Sequence, residues 1–381
     1  MSPYSAAGAQ AGSSPIGLGT LPAVPVLVAL DAVPGPAFVD GLRAAWDRGD
    51  AVLPVDPRLP APARARLLEA LRPGEAVEDG DALVVATSGT TGVPRGVVLT
   101  RTAVEAAAAA VHRRLVVDPA ADRWLACLPL SHVGGLMVVT RALLTGTPLT
   151  FANHTDSSGA GATLVSVVPS LLDRMETSGF RVVLVGGSGD WRGRGSNVVH
   201  TYGMTETGGG VVYDGVPLEG TQVRVDTTGG LQVRGPSLLR CYRDGTDPRG
   251  PDGWLPTGDI GEVADGRVVV HGRASDMIVT GGENVWPAPV EEVLRAHPAV
   301  ADAAVVGRPD EEWGERVVAV VVPADPAAAP SLDELRAWVK EQLPAFSAPR
   351  ELVLAEALPR TGLGKLRRHA LRNWSTDRGY E

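Results

Sequence analysis

The stretch ALVVATSGTTGVPRG, residues 82–96, decides the fold class. Its apolar first half predicts a buried strand, which runs directly into a cluster of hydroxyl side chains and glycines. Glycine lets the backbone approach a ligand closely, and hydroxyls donate to phosphate oxygens. The candidates for such a phosphate cradle are Thr87, Ser88, Gly89, Thr90, Thr91 and Gly92. No Gly-Lys-Ser/Thr sequence follows, so the loop is not a Walker A motif, and a plain polar turn is the alternative.

The surrounding pattern favours an α/β domain. From about residue 24 to 237, short β-branched runs (82–86, 165–168 and 181–185) alternate with helix-length segments such as 101–115 and 169–176. This alternation predicts a largely buried sheet with packed helices. Residues 221–271 change to short strands separated by Gly, Asp and Pro turns, which predicts antiparallel hairpins at the end of this domain.

A new pattern starts after Gly272 and predicts a small α+β domain. It contains predicted helices over 290–296, 331–343 and 366–373, and predicted strands over 303–307, 316–323 and 351–354. The sequence therefore divides into an N-terminal domain, residues 1–272, and a C-terminal domain, residues 273–381.

Composition excludes several classes of function. The chain has 381 residues and a formal net charge of −9, which disfavours a general nucleic-acid binder. Two cysteines, Cys127 and Cys241, cannot form a disulfide framework or a four-cysteine zinc site. No run of 18 apolar residues occurs, and no basic residue precedes the apolar stretch at 21–30, so we expect neither a membrane span nor a signal peptide. A reducing, cytoplasmic location fits best. The sequence does not decide the oligomeric state, and a homodimer is compatible with it.

Two further glycine-rich stretches follow predicted strands. Gly186, Gly187 and Ser188 follow the strand over 181–185, and residues 201–208 (TYGMTETG) follow a predicted strand over 197–200. Ligands of open α/β sheets bind beyond the carboxyl ends of strands, so these loops can share one mouth with the hydroxyl-rich loop. Tyr202 offers an aromatic face to a base, and Glu206 a carboxylate to magnesium.

Three charged residues complete the candidates. Asp259 and Arg273 stand at predicted turns, where they could reach a sugar or simply form a surface ion pair. Only two lysines occur in the whole chain, Lys340 and Lys365, and Lys365 lies in a glycine-rich segment before the last predicted helix. A compact ammonium where arginine otherwise supplies the positive charge suggests a specific use.

Taken in order, these motifs resemble those of the adenylate-forming superfamily, which includes acyl-CoA ligases, luciferases and peptide-synthetase adenylation domains. The resemblance runs from about residue 81 to 373. It implies a large N-terminal domain and a small mobile C-terminal domain, with ATP, Mg²⁺ and coenzyme A as cofactors and a small carboxylic acid as substrate.

The resemblance also implies a role for each motif. Residues 87–92 would cradle the β- and γ-phosphates, with Thr91 and Glu206 at the magnesium ion. Gly186, Gly187 and Ser188 would flank adenine together with Tyr202 and Gly203, and Asp259 and Arg273 would hold the ribose. Thr205, Glu206 and Lys365 would act in acid activation, with Lys365 bridging the substrate carboxylate and the α-phosphate. His132 would line and gate the acyl pocket.

In the C-terminal domain the resemblance implies a pantetheine tunnel formed by Gly281, Gly282 and Trp313. The sequence departs from the superfamily pattern at three places. Arg95 stands where lysine is usual, Ser275 or Asp276 occupies the hinge, and Ala348 replaces a nucleotide-binding arginine, which leaves Arg350 as the nearby cation.

The short N-terminal part resembles actinobacterial o-succinylbenzoate–CoA ligases of menaquinone synthesis, as does the run VYDGVPLEG, residues 212–220. An o-succinylbenzoate–CoA ligase is therefore the leading hypothesis. The alternatives are an adenylating enzyme that forms a CoA or carrier-protein thioester in a natural-product pathway, and a non-catalytic nucleotide-binding remnant.

Overall fold

A computed structural model describes residues 24–88, 94–152, 161–172, 174–187, 195–360, 366–372 and 374, without the Ser88 side chain. The helices of this described chain are α1 (Pro36–Asp47), α2 (Ala61–Leu71), α3 (Arg101–Leu115), α4 (Val133–Thr145), α5 (Pro169–Leu172), α6 (Pro287–Arg295), α7 (Leu332–Lys340) and α8 (Arg368–Arg372). None of them is long and apolar enough to cross a bilayer.

The strands divide among four sheets. In chain order they are β1 (Leu27–Asp31), β2 (Ala51–Val55), β3 (Asp81–Ser88), β4 (Pro94–Thr100), β5 (Trp124–Ala126), β6 (Leu149–Phe151), β7 (Leu164–Val167), β8 (Val182–Gly186), β9 (Val198–Met204), β10 (Gly209–Tyr213), β11 (Val216–Pro217), β12 (Gln222–Val225), β13 (Gly230–Arg234), β14 (Cys241–Tyr242), β15 (Leu255–Ala264), β16 (Arg267–Arg273), β17 (Ile278–Thr280), β18 (Glu283–Val285), β19 (Val300–Asp310), β20 (Gly314–Pro323) and β21 (Glu351–Leu354).

Two sheets carry the α/β part of the fold. The first has the order β1-β2-β3-β4-β14, and the second has the order β11-β10-β9-β8-β7-β5-β6. In the second sheet, β6, β5, β7, β8 and β9 run parallel, so the carboxyl ends of β8 and β9 share one edge. The buried runs over β7 and β8 confirm the continuous apolar strands that the sequence predicts.

Local sequence signals set several helix ends. The Thr100 hydroxyl accepts from the Ala103 amide at 3.2 Å and begins α3. Ser331 and Glu334 form a capping box at the start of α7. Gly146 ends α4 at φ 70°, a left-handed conformation that glycine adopts without strain.

The third sheet, β12-β13-β15-β16, is antiparallel throughout, which confirms the hairpins predicted for residues 221–271. The fourth sheet has the order β18-β17-β20-β19, with β21 beside β20. Helices α6 and α8 pack on β19, and α7 packs on α6 within the same hydrophobic cluster. The buried residues of this sheet form clusters that begin at Ile278 and include none of the earlier sheets' residues. We therefore propose a domain boundary between Arg273, the last residue of β16, and Ile278.

The sequence prediction is wrong about where three motifs lie. The strand predicted over 197–200 is longer: β9 continues to Met204, so Tyr202 and Gly203 lie in a strand and not in a loop. Asp259 and Arg273 likewise lie in β15 and β16 and not at turns. Antiparallel pairing with β10 and β16 supplies the hydrogen bonds that extend these segments, and a linear pattern rich in glycine does not reveal it.

Candidate active site

The hydroxyl-rich loop connects the two strands of an antiparallel hairpin. Thr87 at the end of β3 pairs with Arg95 at the start of β4, and its hydroxyl donates to the Arg95 carbonyl at 3.4 Å. Gly89, Thr90, Thr91 and Gly92 lie outside the described residues, and for Ser88 only the backbone is described. The hairpin therefore fixes the base of the predicted phosphate cradle, whose hydroxyl contacts stay a prediction.

Glu206 lies in a short 3₁₀ turn, Thr205–Thr207, between β9 and β10. Its side chain is buried, and the Tyr242 hydroxyl donates to Oε1 at 3.0 Å. The backbone amide of Leu239 donates to the Glu206 carbonyl at 2.8 Å. No hydrogen bond from the described part of the chain reaches Oε2. A buried carboxylate with one oxygen held and the other uncommitted fits a magnesium ligand.

Arg95 and Tyr242 join the hairpin to Glu206. The Arg95 guanidinium stacks 3.6 Å from the centre of the Tyr242 ring, and Arg95 also pairs with Asp244 at 3.4 Å. Strand β14 pairs Tyr242 with Val97 of β4. Burial and the neighbouring Glu206 raise the pKa of Tyr242 to about 12, so its hydroxyl stays protonated and donates at neutral pH. The structure thus brings the base of the phosphate loop to the predicted magnesium ligand.

Tyr202, Asp259 and Arg273 form a second connected group. The Tyr202 hydroxyl donates to Asp259 Oδ2 at 2.8 Å, and Arg273 Nε lies 3.0 Å from Asp259 Oδ1. Asp259 of β15 and Arg273 of β16 pair across the two strands. The Asp259 amide donates to the Thr257 hydroxyl at 3.1 Å, and Arg273 Nη1 donates to the Thr257 carbonyl at 2.8 Å. Burial is the main cause that raises the pKa of Tyr202, and the negative charge of Asp259 raises it further. The ion pair considered from the sequence is therefore present, with a buried Asp259 and a partly exposed Arg273, and the contact to a sugar stays a prediction.

Glycines shape the edge beside this group. Gly186 at the end of β8 pairs with Thr201, and Gly187 has φ 121°, a conformation that favours glycine. At Gly203 a Cβ would lie 2.0 Å from the Gly209 carbonyl oxygen, so only glycine allows β9 and β10 to approach here. Ser188 lies outside the described residues. The edge that carries Gly186 and Gly187 is also the edge that carries Tyr202.

His132 precedes α4 and remains exposed to solvent. Desolvation by the surrounding protein lowers its pKa below the ordinary 6.5, and the nearby Asp56 only partly offsets the shift. The imidazole is therefore neutral at pH 7. The adjacent Ser131 hydroxyl is buried and has no hydrogen-bond partner in the described chain. The start of α4 thus carries a buried hydroxyl without a partner in the described chain, next to a neutral imidazole.

The second half of α4 holds a residue that the sequence analysis missed. Arg141 is buried, and its Nε and Nη1 atoms have no hydrogen-bond partner among the described residues. It stacks over Trp124 at 4.8 Å and interacts with the buried Tyr213, and burial lowers its pKa. Its sequence signal was an arginine inside an otherwise apolar helix, VGGLMVVTRALLT. No carboxylate of the described residues pairs with it, so in this part of the chain the buried cation lacks a counter-ion.

Val133, Met137 and Arg141 follow one another at four-residue spacing on α4. A Cβ at Gly209 would lie 4.0 Å from Val133 and 3.7 Å from Met137, so the missing side chain leaves room beside them. Tyr213, which interacts with Arg141, lies four residues after Gly209 on β10. Val133 and Met137 on this face of α4 therefore lie beside Gly209, and the Arg141 guanidinium lies further along the same face. The Gly208 amide donates to the Thr205 carbonyl at 3.1 Å and is thus already engaged.

Gly281, Gly282 and Trp313 meet in the fourth sheet. The Gly281 amide donates to the Trp313 carbonyl at 2.8 Å, and a Cβ at Gly281 would lie only 2.9 Å from the Trp313 ring. Gly281 and Gly282 have φ values of 60° and 84°. The Arg350 guanidinium stacks 3.5 Å from the centre of the Trp313 ring. The Nε atom of Arg350 is buried and has no hydrogen-bond partner in the described chain. Trp313 is half-buried, so it is not a core residue.

Lys365 lies outside the described residues, but its surroundings are defined. Arg360 and Leu366 form an antiparallel bridge on either side of it, and the Arg367 amide donates to the Pro359 carbonyl at 2.8 Å. Helix α8 follows, and Arg368 pairs with the buried Glu291 and with Asp276. Arg372 donates to the Ser275 carbonyl at 2.7 Å. The segment of the predicted hinge is thus bound to the helix that follows Lys365.

Comparison with known proteins decides the family. Residues 72–243 match the family described as AMP-binding enzyme, and residues 289–365 match the AMP-binding enzyme C-terminal domain. A probable 2-succinylbenzoate–CoA ligase of Mycobacterium tuberculosis is 40% identical over 337 residues, which cover 80% of this chain and 87% of that protein. The chain belongs to the AMP-binding enzyme family.

Solved structures of AMP-binding enzymes confirm the predicted fold. The o-succinylbenzoate CoA synthetase of Bacillus subtilis in complex with the acyl-adenylate intermediate OSB-AMP superposes with a TM-score of 0.81 at 27% identity, covering 92% of this chain and 88% of that one. The same enzyme in complex with ATP and magnesium ion gives 0.80 at 26% identity, covering 91% and 89%. The resemblance drawn from the sequence motifs is therefore confirmed at the level of family and fold.

Replacing Asp259 with Asn tests the predicted ribose contact. The amide keeps the shape but loses the charge that accepts hydrogen bonds most strongly, so we expect the KM for ATP to rise roughly 10-fold. The comparison is the KM for 2′,3′-dideoxy-ATP, which lacks the ribose hydroxyls and should hardly change. Equal increases for both nucleotides would show that Asp259 acts on the strands and not on the sugar.

Proposed function

We propose that this AMP-binding enzyme is an ATP- and magnesium-dependent o-succinylbenzoate–CoA ligase that activates the acid as an acyl-adenylate. The observation that carries the substrate class is the buried Arg141 guanidinium with two nitrogens unpaired in the described chain. A monocarboxylic acid would spend its one carboxylate at the reaction centre. A dicarboxylic acid brings a second carboxylate that can compensate a buried cation. Relatives that carry the name 2-succinylbenzoate–CoA ligase support the same assignment.

In the first step the enzyme's contribution is positioning and charge compensation. Asp259 accepts the ribose hydroxyls while Arg273 and Tyr202 keep its carboxylate in place. Glu206 and Thr91 would hold magnesium, which neutralises charge on the phosphate oxygens. Lys365 would stabilise the charge that develops between the acid carboxylate and the α-phosphate. The carboxylate oxygen attacks phosphorus, and pyrophosphate leaves with the electron pair of the broken bond.

The second carboxylate of the substrate would lie along the face of α4. Val133 and Met137 lie beside Gly209, which has no side chain to contact them, and Arg141 lies one turn beyond Met137. Ser131 and the neutral His132 supply uncommitted hydrogen-bonding groups at the start of the same helix. An aromatic carboxylate with a second carboxylate at the end of its succinyl chain matches this combination of apolar side chains and polar groups.

Coenzyme A is the proposed acceptor of the acyl group. The half-buried Trp313 ring offers an apolar surface close to Gly281, and the Arg350 guanidinium that stacks on it adds a positive charge. Ala348 stands where related ligases have a nucleotide-binding arginine, and Arg350 is the proposed substitute for that charge. A cytoplasmic location and a homodimer remain proposals from the sequence.

The experiment is a matched substrate comparison. Acid-dependent pyrophosphate exchange and thioester formation are measured with o-succinylbenzoate, benzoate and a medium-chain fatty acid, with CoA or a carrier protein as acceptor. We expect kcat/KM for o-succinylbenzoate to exceed that for benzoate at least about 100-fold, because benzoate leaves buried polar groups unpaired. Comparable values would refute the substrate assignment, and transfer to a carrier protein alone would refute the acceptor.

Replacing His132 with Ala should reduce kcat/KM for o-succinylbenzoate about 10-fold and affect benzoate less, because in this proposal only the larger acid reaches both Arg141 and the polar groups at the start of α4. The matched control is His297→Gln, because His297 follows α6 and packs edge-on against Trp338 of α7, not against α4. His297→Gln should not discriminate between the two acids. A similar loss for both acids in His132→Ala would contradict a pocket role.

A further inference from the structure

The region between the phosphate loop and Glu206 contains a tyrosine to which no motif assigns a role. Tyr242 is half-buried in the two-residue strand β14, and its hydroxyl donates to Glu206 Oε1 at 3.0 Å. Its ring carries the stacked Arg95 guanidinium at 3.6 Å. The residue therefore contacts the predicted magnesium ligand with one end and the base of the phosphate loop with the other.

We propose that Tyr242 is a positioning residue for the metal: its hydroxyl holds Oε1 of Glu206 and leaves Oε2 available to the magnesium ion of the ATP complex. The proposal rests on the proposed ATP-dependent function. Tyr242 acts through Glu206 and is not itself a metal ligand.

The backbone around Glu206 explains why this contact restrains the carboxylate. Leu239, three residues before Tyr242, donates its amide to the Glu206 carbonyl at 2.8 Å. The same chain segment thus holds both the main chain and the side chain of Glu206. A ligand whose orientation is fixed beforehand loses less conformational freedom when it binds a metal, and partners of metal ligands influence affinity for that reason.

Arg95 holds the other side of the ring in place. It stacks on Tyr242 and pairs with Asp244, two residues further along the chain. Because Arg95 belongs to β4 and pairs with Thr87, the tyrosine ring is packed against the hairpin that leads into the phosphate loop. A phenylalanine at position 242 would preserve this stacking and remove only the hydrogen bond to Glu206.

The test uses Tyr242→Phe, Glu206→Gln and the double variant in the full-length protein. Binding of Mn²⁺ in the presence of ATP is measured by electron paramagnetic resonance, and the magnesium dependence of pyrophosphate exchange is titrated alongside. We expect Tyr242→Phe to weaken Mn²⁺ binding roughly 10-fold, while kcat at saturating magnesium stays within about twofold. In the Glu206→Gln background the same change should have no further effect on Mn²⁺ affinity.

Tyr213→Phe is the matched control, because it also removes a tyrosine hydroxyl, but from a buried residue beside Arg141 that makes no contact with Glu206 among the described residues. It should leave Mn²⁺ affinity unchanged. The proposal is overturned if Tyr242→Phe binds Mn²⁺ as the wild type does. It is also overturned if the loss of Mn²⁺ affinity in the double variant equals the full product of the fold-losses in the two single variants. A wild-type protein that binds Mn²⁺ with ATP but shows no acid-dependent exchange would refute the proposed function and leave the binding comparison intact.

Discussion

Replacing Lys365 with Ala should lower acid-dependent pyrophosphate exchange by about 100- to 1,000-fold and leave thioester formation from supplied acyl-adenylate within a few-fold of wild type. Only the first step develops charge between the acid carboxylate and the α-phosphate, where the ammonium would act. Both half-reactions must be measured separately under single-turnover conditions.

The chain supplies a clean control for this experiment. Lys340 is the other lysine of the sequence, and it is exposed in the last turn of α7. Lys340→Ala removes the same charge and should leave both half-reactions unchanged. Equal losses in the two half-reactions of Lys365→Ala would assign the residue a structural role, because α8 and the bridge between Arg360 and Leu366 could then depend on it.

Replacing Arg141 with Met should lower kcat/KM for o-succinylbenzoate about 100-fold or more, because the buried second carboxylate would lose its counter-ion. Folding should respond differently. A buried guanidinium without a carboxylate partner destabilises the empty protein, so an apolar side chain of similar length should leave the melting temperature unchanged or raise it.

The two measurements together distinguish a ligand site from a structural cation. Benzoate, which has no second carboxylate, should be used by Arg141→Met as well as by the wild type. A large fall in melting temperature with equal losses for both acids would show that Arg141 supports the packing of Trp124 and Tyr213. Arg141→Lys provides a further comparison, since it keeps a charge but lacks the planar donor set.

Sequence reasoning identified the fold class, the antiparallel region and the small C-terminal domain because each has its own hydrophobic period. It also singled out Glu206, Tyr202, Asp259 and Arg273 from motifs that are continuous in the chain, and their roles stay predictions. It placed Tyr202 and Asp259 in loops, because strand pairing between distant segments supplies hydrogen bonds that no local pattern contains.

Arg141 and Tyr242 were missed for a related reason. An arginine in an apolar helix and a tyrosine in a two-residue strand acquire meaning only from what lies opposite them. For Arg141 this is the absence of a partner in the described chain, and for Tyr242 it is a carboxylate 36 residues away in sequence. Neither relation can be deduced from periodicity or composition.

The anchoring of α8 affects how the chain could be shortened. Arg368 compensates the buried Glu291, and Leu371 is fully buried in the core of the fourth sheet. A chain that stopped at residue 360 would lose both, at a combined cost of roughly 5 to 10 kcal/mol, about the whole stability of a small domain. A stop codon at position 361 would therefore unfold the C-terminal domain and expose its sheet to proteases. Substitution of Lys365 would remove only that side chain and leave α8 in place.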